Sequence, residues 1–392
     1  MAAGFGKRLG WKLEASGHSL VAALMSWLPA EYVFRLGELI GKLIWPMMKS
    51  RRVMILRNLR IACAPLEFEA VEKMARDSFI RTVANLLSSS ISPKAEGGKI
   101  EDMLVVENPE LLEQACAQGR GVLVLLAHMG NWELMTRLNH FFPKGTKGGA
   151  FYRPLNNPIL NERVVKLREA DGTRLFAKGD SLHQVGSFLR DNGVIGILAD
   201  QRAGMQGEVT SFFGRVTRVS PLASLLARRC KSEVLALSLR TISPGKWSAR
   251  YHTVEKPYSS SSCMKALEAA MKVSLLDCFW LQERWKVYVG AVFNLSKWLE
   301  KEDVRGEKPH RVMAWLREDE EVYDIPAEFL HGDVEWEFVV GKDPKELEEI
   351  ERSKPLPVDF LIASQVDAEL LRSCEASGIP VLSYPDFKII RQ

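Results

Sequence analysis

The sequence predicts an α/β protein: a central, mostly parallel sheet flanked by helices, with N-terminal membrane-associated helices before it and a small C-terminal α/β extension after it. Two observations carry the core of that prediction. Segments 121–127 (GVLVLLA) and 194–199 (VIGILA) are continuous apolar runs, as strands buried on both faces are. Helical patterns alternate with these and further runs, and such alternation places helices on both faces of a parallel sheet. Composition agrees. At 46% hydrophobic and 26% charged residues, the 392-residue chain has ordinary globular proportions, which excludes a disordered chain, a collagen-like fibre and a polytopic membrane protein.

The first segment carries Lys7, Arg8 and Lys12 ahead of an apolar run at 20–28, which Pro29 and Glu31 interrupt. The run falls short of the roughly 20 apolar residues that cross a bilayer. No small-residue cleavage site follows it, so no cleavable signal peptide is expected. Residues 31–48 read as an amphipathic helix, with Glu31, Arg35, Glu38, Lys42 and Lys49 on one face and apolar side chains over a wide remainder. Trp45 near its end and the following Lys49, Arg51, Arg52, Arg57 and Arg60 fit a helix lying in a membrane interface. The alternative is a helix packed on a soluble core.

Further along, 66–92 and 109–117 read as helices, 121–127 as a strand, and a helical pattern starts near Asn131. Phe151-Tyr152 reads as a strand end, 156–171 and 182–191 as helices, 194–199 as a strand, 221–229 as a helix and 234–240 as a strand. A charged, aperiodic stretch at 298–309 marks a boundary. Beyond it, strands are expected at 312–316, 338–340, 360–363 and 381–383, with helices at 343–352 and 366–377. The predicted organisation is therefore 1–50 membrane-associating helices, 51–300 the α/β domain, and 305–392 an acidic extension.

Charge is unevenly spread. Residues 1–60 carry a net of +7 and residues 301–392 a net of −10. A basic front suits an anionic partner: phospholipid, nucleic acid or an acidic protein. No stacking-plus-basic motif of the kind that nucleic-acid-binding folds carry is evident, so nucleic acid ranks low. The six Cys include no CxxC pair, which argues against a zinc site or disulfide framework and suits a reducing compartment.

Ligand sites in open α/β sheets lie beyond the carboxyl ends of the strands, and three motifs fall there. The first is AHMGNWE at 127–133, where His128 just past a strand and Glu133 in the first turn of a helix can meet. A carboxylate on one ring nitrogen fixes the tautomer and leaves the other to take a proton from a hydroxyl. Gly130 and Asn131 lie alongside. The second is FYRP at 151–154, where Arg153 can clamp a phosphate, carboxylate or oxyanion; a surface ion pair is the plainer alternative. The third is LADQR at 198–202, with Asp200 as a second carboxylate or a turn cap, and Gln201 and Arg202 as ligand donors. In SFFGR at 211–215, Phe212-Phe213 line an apolar channel or belong to the core. Trp280 and ERWK at 283–286 place cations among aromatics, which suits a headgroup or an acidic carrier.

Together with RRVMILRNLRIA (51–62) and FYRPLNNP (151–158), these ordered blocks resemble the lipid A biosynthesis lauroyl/myristoyl (late) acyltransferases of the lysophospholipid-acyltransferase-like superfamily, from about residue 20 to 298. The resemblance implies an acyltransferase core at the cytoplasmic face of the inner membrane. It implies transfer from an acyl carrier protein thioester to a hydroxyl of a lipid A precursor, with no metal or bound cofactor. Carried over by motif, His128 is the base and Glu133 its partner, with Arg153 and Asp200 as further site residues; beside the resemblance, Asn131, Gln201 and Arg202 are expected to face substrate with them. Arg153 or backbone amides at 130–133 are the expected oxyanion donors. Acceptors open to the same superfamily include phosphatidylinositol mannosides and aminolipids. A non-catalytic, membrane-surface lipid-binding protein is the alternative from another class. The extension lies outside the family's usual length.

Overall fold

The computed structural model describes residues 5–92, 99–177, 179–204, 206–285, 307–318, 334–363 and 365–383. The helices are α1 (Phe5–Met25), α2 (Ala30–Ile44), α3 (Lys49–Cys63), α4 (Phe68–Ser89), α5 (Lys99–Met103), α6 (Glu110–Ala117), α7 (Pro158–Glu169), α8 (Leu182–Arg190), α9 (Leu222–Cys230), α10 (Ser260–Lys272), α11 (Leu347–Arg352) and α12 (Ala368–Ser377). The strands are β1 (Leu104–Val106), β2 (Val122–Leu126), β3 (Gly148–Tyr152), β4 (Arg174–Ala177), β5 (Val194–Leu198), β6 (Glu208–Phe212), β7 (Arg215–Val219), β8 (Glu233–Ser243), β9 (Lys246–Thr253), β10 (His310–Leu316), β11 (Val334–Val340), β12 (Phe360–Ala363) and β13 (Val381–Ser383). The chain divides into two compact units, each discontinuous in sequence.

The first unit draws on Met1–Ile44, Ser78–Asp200 and Pro221–Phe279. Its seven-stranded sheet has the order β1-β9-β8-β2-β5-β3-β4. Every neighbouring pair is parallel except β8–β9, which turns back through Pro244-Gly245. Strand β2 sits between β8 and β5 with all five residues buried, which explains its unbroken apolar run. Strands β1, β4 and β9 escaped the sequence reading. β1 and β4 are short, and β9 (KWSARYHT) carries cations and hydroxyls on an otherwise buried ladder. The helical pattern after Asn131 is a 3₁₀-helix, Trp132–Phe141.

Helix α2 buries a narrow stripe, Val33, Phe34, Gly37 and Gly41. Phe34 meets Trp247 edge-on at 6.1 Å. A Cβ on Gly37 would lie 2.5 Å from Ala84 Cα, so α2 lies directly on the α4 backbone only because the residue is glycine. On another face Tyr32, Leu39 and Leu43 stay exposed, while Leu36, Ile40 and Ile44 are half-buried. One stripe of this segment packs on the protein, and a second apolar face is left outward. On α1, Leu9, Leu13, Leu20, Val21 and Leu24 are likewise exposed. Two side chains near α7 hold α1 in place. Asn157 Nδ2 donates to Trp11 O at 2.9 Å and Glu14 Oε2 at 2.8 Å, and Arg163 donates to Ala15 O at 2.7 Å. Among the described residues, no helix is long and apolar enough to cross a membrane.

The second unit draws on Trp45–Asp77, Gln201–Ser220 and Trp280–Gln392. Its four-stranded sheet, β11-β10-β12-β13, is parallel throughout, and β6–β7 form a separate antiparallel hairpin. The described parts of the acidic extension thus share one compact unit with α3 and the hairpin. Phe213 (φ +51°) and Gly214 (φ +75°) make the two-residue turn of that hairpin. Phe212 stacks on Trp285 at 6.1 Å and Phe213 meets Trp280 edge-on at 6.0 Å, both phenylalanines being buried. SFFGR is therefore a core turn and not a channel wall. Lys286 and residues 298–306 of the expected boundary lie outside the described residues.

Arg215, at the start of β7, pairs with the buried Asp359, and His310 Nδ1 lies 3.1 Å from the same carboxylate. Burial opposes the charge on Asp359, but Arg215, His310 and Arg57 outweigh it and hold the carboxyl at about 2. An unfolded Asp titrates at about 3.9. A carboxyl depressed in the fold contributes stability in full above the unfolded value and loses it as pH falls toward the folded one. Acid titration of unfolding should therefore show a loss between about pH 4 and pH 2 that Asp359→Asn lacks. Equal acid sensitivity in both proteins would remove Asp359 as the cause.

Candidate active site

Strands β2, β5 and β3 are consecutive, parallel neighbours, so their carboxyl ends open on one edge of the sheet. Leu126 of β2 is in register with Leu198 of β5, and Ala199 N donates to Leu126 O at 2.9 Å. His128 and Asp200 each lie two residues beyond that pair. Equal offsets in parallel strands put both side chains on the same face. His128 Nδ1 meets Asp200 Oδ1 at 2.7 Å. The Asp200 side chain is fully buried, whereas the imidazole keeps 16% of its surface exposed.

An ionised carboxylate only accepts, so Nδ1 carries the proton and Nε2 presents its lone pair. Aromatic rings flank the imidazole: Trp132 edge-on at 5.4 Å and Phe279 at 6.3 Å, the two 5.7 Å from each other. The His128 backbone is also held. Phe279 N donates to His128 O at 2.7 Å, Met129 bridges Cys278, and Gly130 N donates to Asp277 O at 2.9 Å. Gly130 has φ +55°, and a Cβ there would come within 2.8 Å of Leu239 O, so only glycine fits the turn.

Glu133 does not reach His128. Its carboxylate accepts two bonds from Arg168 of α7, at 3.0 and 2.6 Å. The left-handed turn at Gly130 brings Trp132 beside the imidazole and directs Glu133 to α7. The expected His128–Glu133 pair is thus replaced by His128–Asp200, and the residue expected to bind substrate is the one that orients the histidine.

The other expected site residues separate. Asn131 is fully buried, with Nδ2 donating to Ser92 Oγ at 2.8 Å and Oδ1 unpartnered, so it is an interior group and not one presented to substrate. Arg153 is exposed just past β3, at the same sheet edge. Gln201 and Arg202 are exposed and belong to the second unit. The Gly130 amide, engaged by Asp277, is not available as an oxyanion donor. The sequence reading missed Trp132 and Phe279 as walls of the site. Among the described residues, no group of three or more His, Cys, Asp or Glu is placed to hold a metal ion.

Over residues 15–287 the chain matches the family described as bacterial lipid A biosynthesis acyltransferase. It is 28% identical over 134 residues to the lipid A biosynthesis lauroyltransferase of Escherichia coli strain K12, covering 34% of this chain and 43% of that protein. It is 24% identical over 193 residues to the lipid A biosynthesis palmitoleoyltransferase of the same strain, covering 49% of this chain and 62% of that one. A lipid A biosynthesis acyltransferase of Shigella flexneri matches with the same figures. Each match spans less than two thirds of the relative's own length. The family match takes in both strand ends that form the histidine–aspartate pair, and more than half of the chain: this protein belongs to the bacterial lipid A biosynthesis acyltransferase family.

Proposed function

We propose that the protein transfers a fatty acyl chain from an acyl carrier protein thioester to a hydroxyl of a lipid A precursor, at the cytoplasmic face of the inner membrane. The observation that carries this reading is the His128–Asp200 pair, an oriented base in a chain of this family. His128 Nε2 takes the proton of the acceptor hydroxyl as its oxygen attacks the thioester carbonyl. The new C–O bond forms, the C–S bond breaks, and the leaving thiolate takes the proton back from Nε2. Asp200 stabilises the imidazolium between the two steps. Arg153, at the same edge, is the proposed donor to the oxyanion or to an acceptor phosphate. The exposed apolar faces of α1 and α2, with the net +7 of residues 1–60, support a seat on an anionic lipid surface.

The test is a mass-spectrometric transfer assay with acyl-loaded carrier proteins, a lipid A precursor and His128→Ala as control. The expected product is heavier by one acyl chain. The variant should lose about 10²–10⁴ of the rate while remaining folded. Near-normal transfer by the variant would overturn the base assignment. His128-dependent thioester hydrolysis without product would point to a different acceptor.

A further inference from the structure

We infer that Asp277 is a positioning residue for the reaction: its buried carboxylate fixes the short segment whose backbone holds the catalytic histidine. The inference rests on the reading of His128 as the base. Asp277 lies in the first unit with His128, at the end of a 3₁₀ turn, Leu275–Asp277.

Asp277 is 2% exposed, and its carboxylate gathers donors from three parts of the fold. Oδ1 accepts from Thr241 Oγ1 at 2.6 Å and Asn85 Nδ2 at 3.2 Å; Oδ2 accepts from Ser274 Oγ at 2.7 Å and Thr241 N at 3.0 Å. Asn85 is itself oriented by Trp247 Nε1, which donates to its Oδ1 at 2.8 Å. Arg81 stands 3.8 Å from Oδ1. A carboxylate taken out of water is costly unless its lone pairs are met, and here four donors meet them. The network thus ties α4, β8 and the 274–277 turn to one point.

What it fixes is the clamp on the histidine loop. The carbonyl of Asp277 accepts from Gly130 N, Cys278 bridges Met129, and Phe279 N donates to His128 O. These contacts set the backbone of 128–130, and Asp200 meets the ring at Nδ1. A displacement of about 1 Å at a catalytic group can cost about a hundredfold in rate. Loss of the carboxylate would free the clamp without removing any group that meets substrate.

Asp277→Asn places an amide donor against a cluster of donors. We expect kcat to fall about 10- to 100-fold with KM changed less than about threefold, as befits misplacement and not lost binding. Circular dichroism should show the fold retained, and amide hydrogen exchange should accelerate in peptides spanning 127–132 and 278–281. A folded Asp277→Asn protein with kcat within about twofold of the parent, or with unchanged exchange at 127–132, overturns the inference. Should that variant fail to fold, Thr241→Val removes the 2.6 Å bond and keeps the carboxylate. It is expected to lower kcat about three- to tenfold, and an unchanged kcat overturns the inference equally. If His128→Ala retains turnover, the base assignment fails and the kinetic arm loses its meaning. The exchange arm then decides alone whether Asp277 holds the loop.

Discussion

Asp200→Asn is expected to lower acyl transfer by about 10²–10⁴ in kcat, and Glu133→Gln by less than about tenfold. The first figure follows from tautomer control. An Asn in place of the carboxylate can turn its amide N–H toward Nδ1, which then must accept, and the proton moves to Nε2. Nε2 is where the acceptor hydroxyl must deliver its own proton, so the base is presented in the wrong form while the geometry survives. The second figure follows from where Glu133 is found. It is bound to Arg168, with side-chain exposures of 26% for Arg168 and 18% for Glu133, so the change weakens a partly screened ion pair between the 132–141 helix and α7. That costs about 1 kcal/mol or less of stability and leaves the imidazole's partner in place. Rates measured on the two folded variants decide the matter. The reverse order, with Glu133→Gln the slower enzyme, would return the dyad to the pairing that proximity along the chain implies.

The reason for that mispairing lies in what a sequence can carry. His128 and Glu133 are five positions apart, and their adjacency is visible in the chain. His128 and Asp200 are separated by 72 positions, and their contact depends on β2 and β5 being sheet neighbours. The apolar runs of both strands were plain, because each is buried on both faces. Strand order was not, since β5 follows β3 and β4 in the chain yet inserts between β2 and β3. Had the β2–β5 pairing been known, the equal offset of His128 and Asp200 from Leu126 and Leu198 would have named the dyad. The left-handed turn at Gly130 is a second hidden term. A glycine in AHMGNWE signals a turn, but not that the turn sets Trp132 beside the ring. The rim itself was legible, with His128, Arg153 and Asp200 on the three strand ends that the motifs indicated.

Asn131 and the hairpin show a different limit. A polar residue beside a catalytic motif reads as ligand-binding, but burial against Ser92 makes it an interior group, and burial is a tertiary property. In the same way, β6 and β7 alternate too weakly to announce strands. Their anchors are Phe212 and Phe213 on Trp285 and Trp280, about seventy residues away. The extension read as a separate block because its charge changes sign at the boundary. That same charge is what joins it to α3.

Glu351→Ala is accordingly expected to destabilise the protein by about 3–5 kcal/mol, the cost of leaving a buried charge without its partner. Arg60 of α3 is 3% exposed, and Glu351 is 4% exposed. Arg60 Nη1 donates to both Glu351 oxygens, at 2.6 and 2.5 Å. Its remaining donors reach Pro355 O at 3.0 Å, Lys354 O at 2.5 Å and Glu351 O at 3.1 Å. Arg57, one turn earlier, donates to Val358 O at 2.7 Å. Of these carbonyls, that of Glu351 lies in the last turn of α11 and carries part of the negative end of its dipole, so the guanidinium meets partial charge as well as the carboxylate. Burial alone disfavours the charged form of Arg60, and Glu351 is the largest opposing influence, so its removal acts on a group already held against its preference. An Arg60→Met/Glu351→Met double variant should recover most of the loss, because a buried ion pair exchanged for packed apolar side chains is often neutral or stabilising by about 1–4 kcal/mol. Deleting 304–392 removes every one of these partners at once, together with Asp359 opposite Arg215. The truncated chain should therefore be insoluble or lose its cooperative unfolding transition, whatever the extension does in catalysis. A soluble truncation with an unchanged unfolding midpoint would show that α3 folds without the extension, and the clamp would then be a contact and not a requirement.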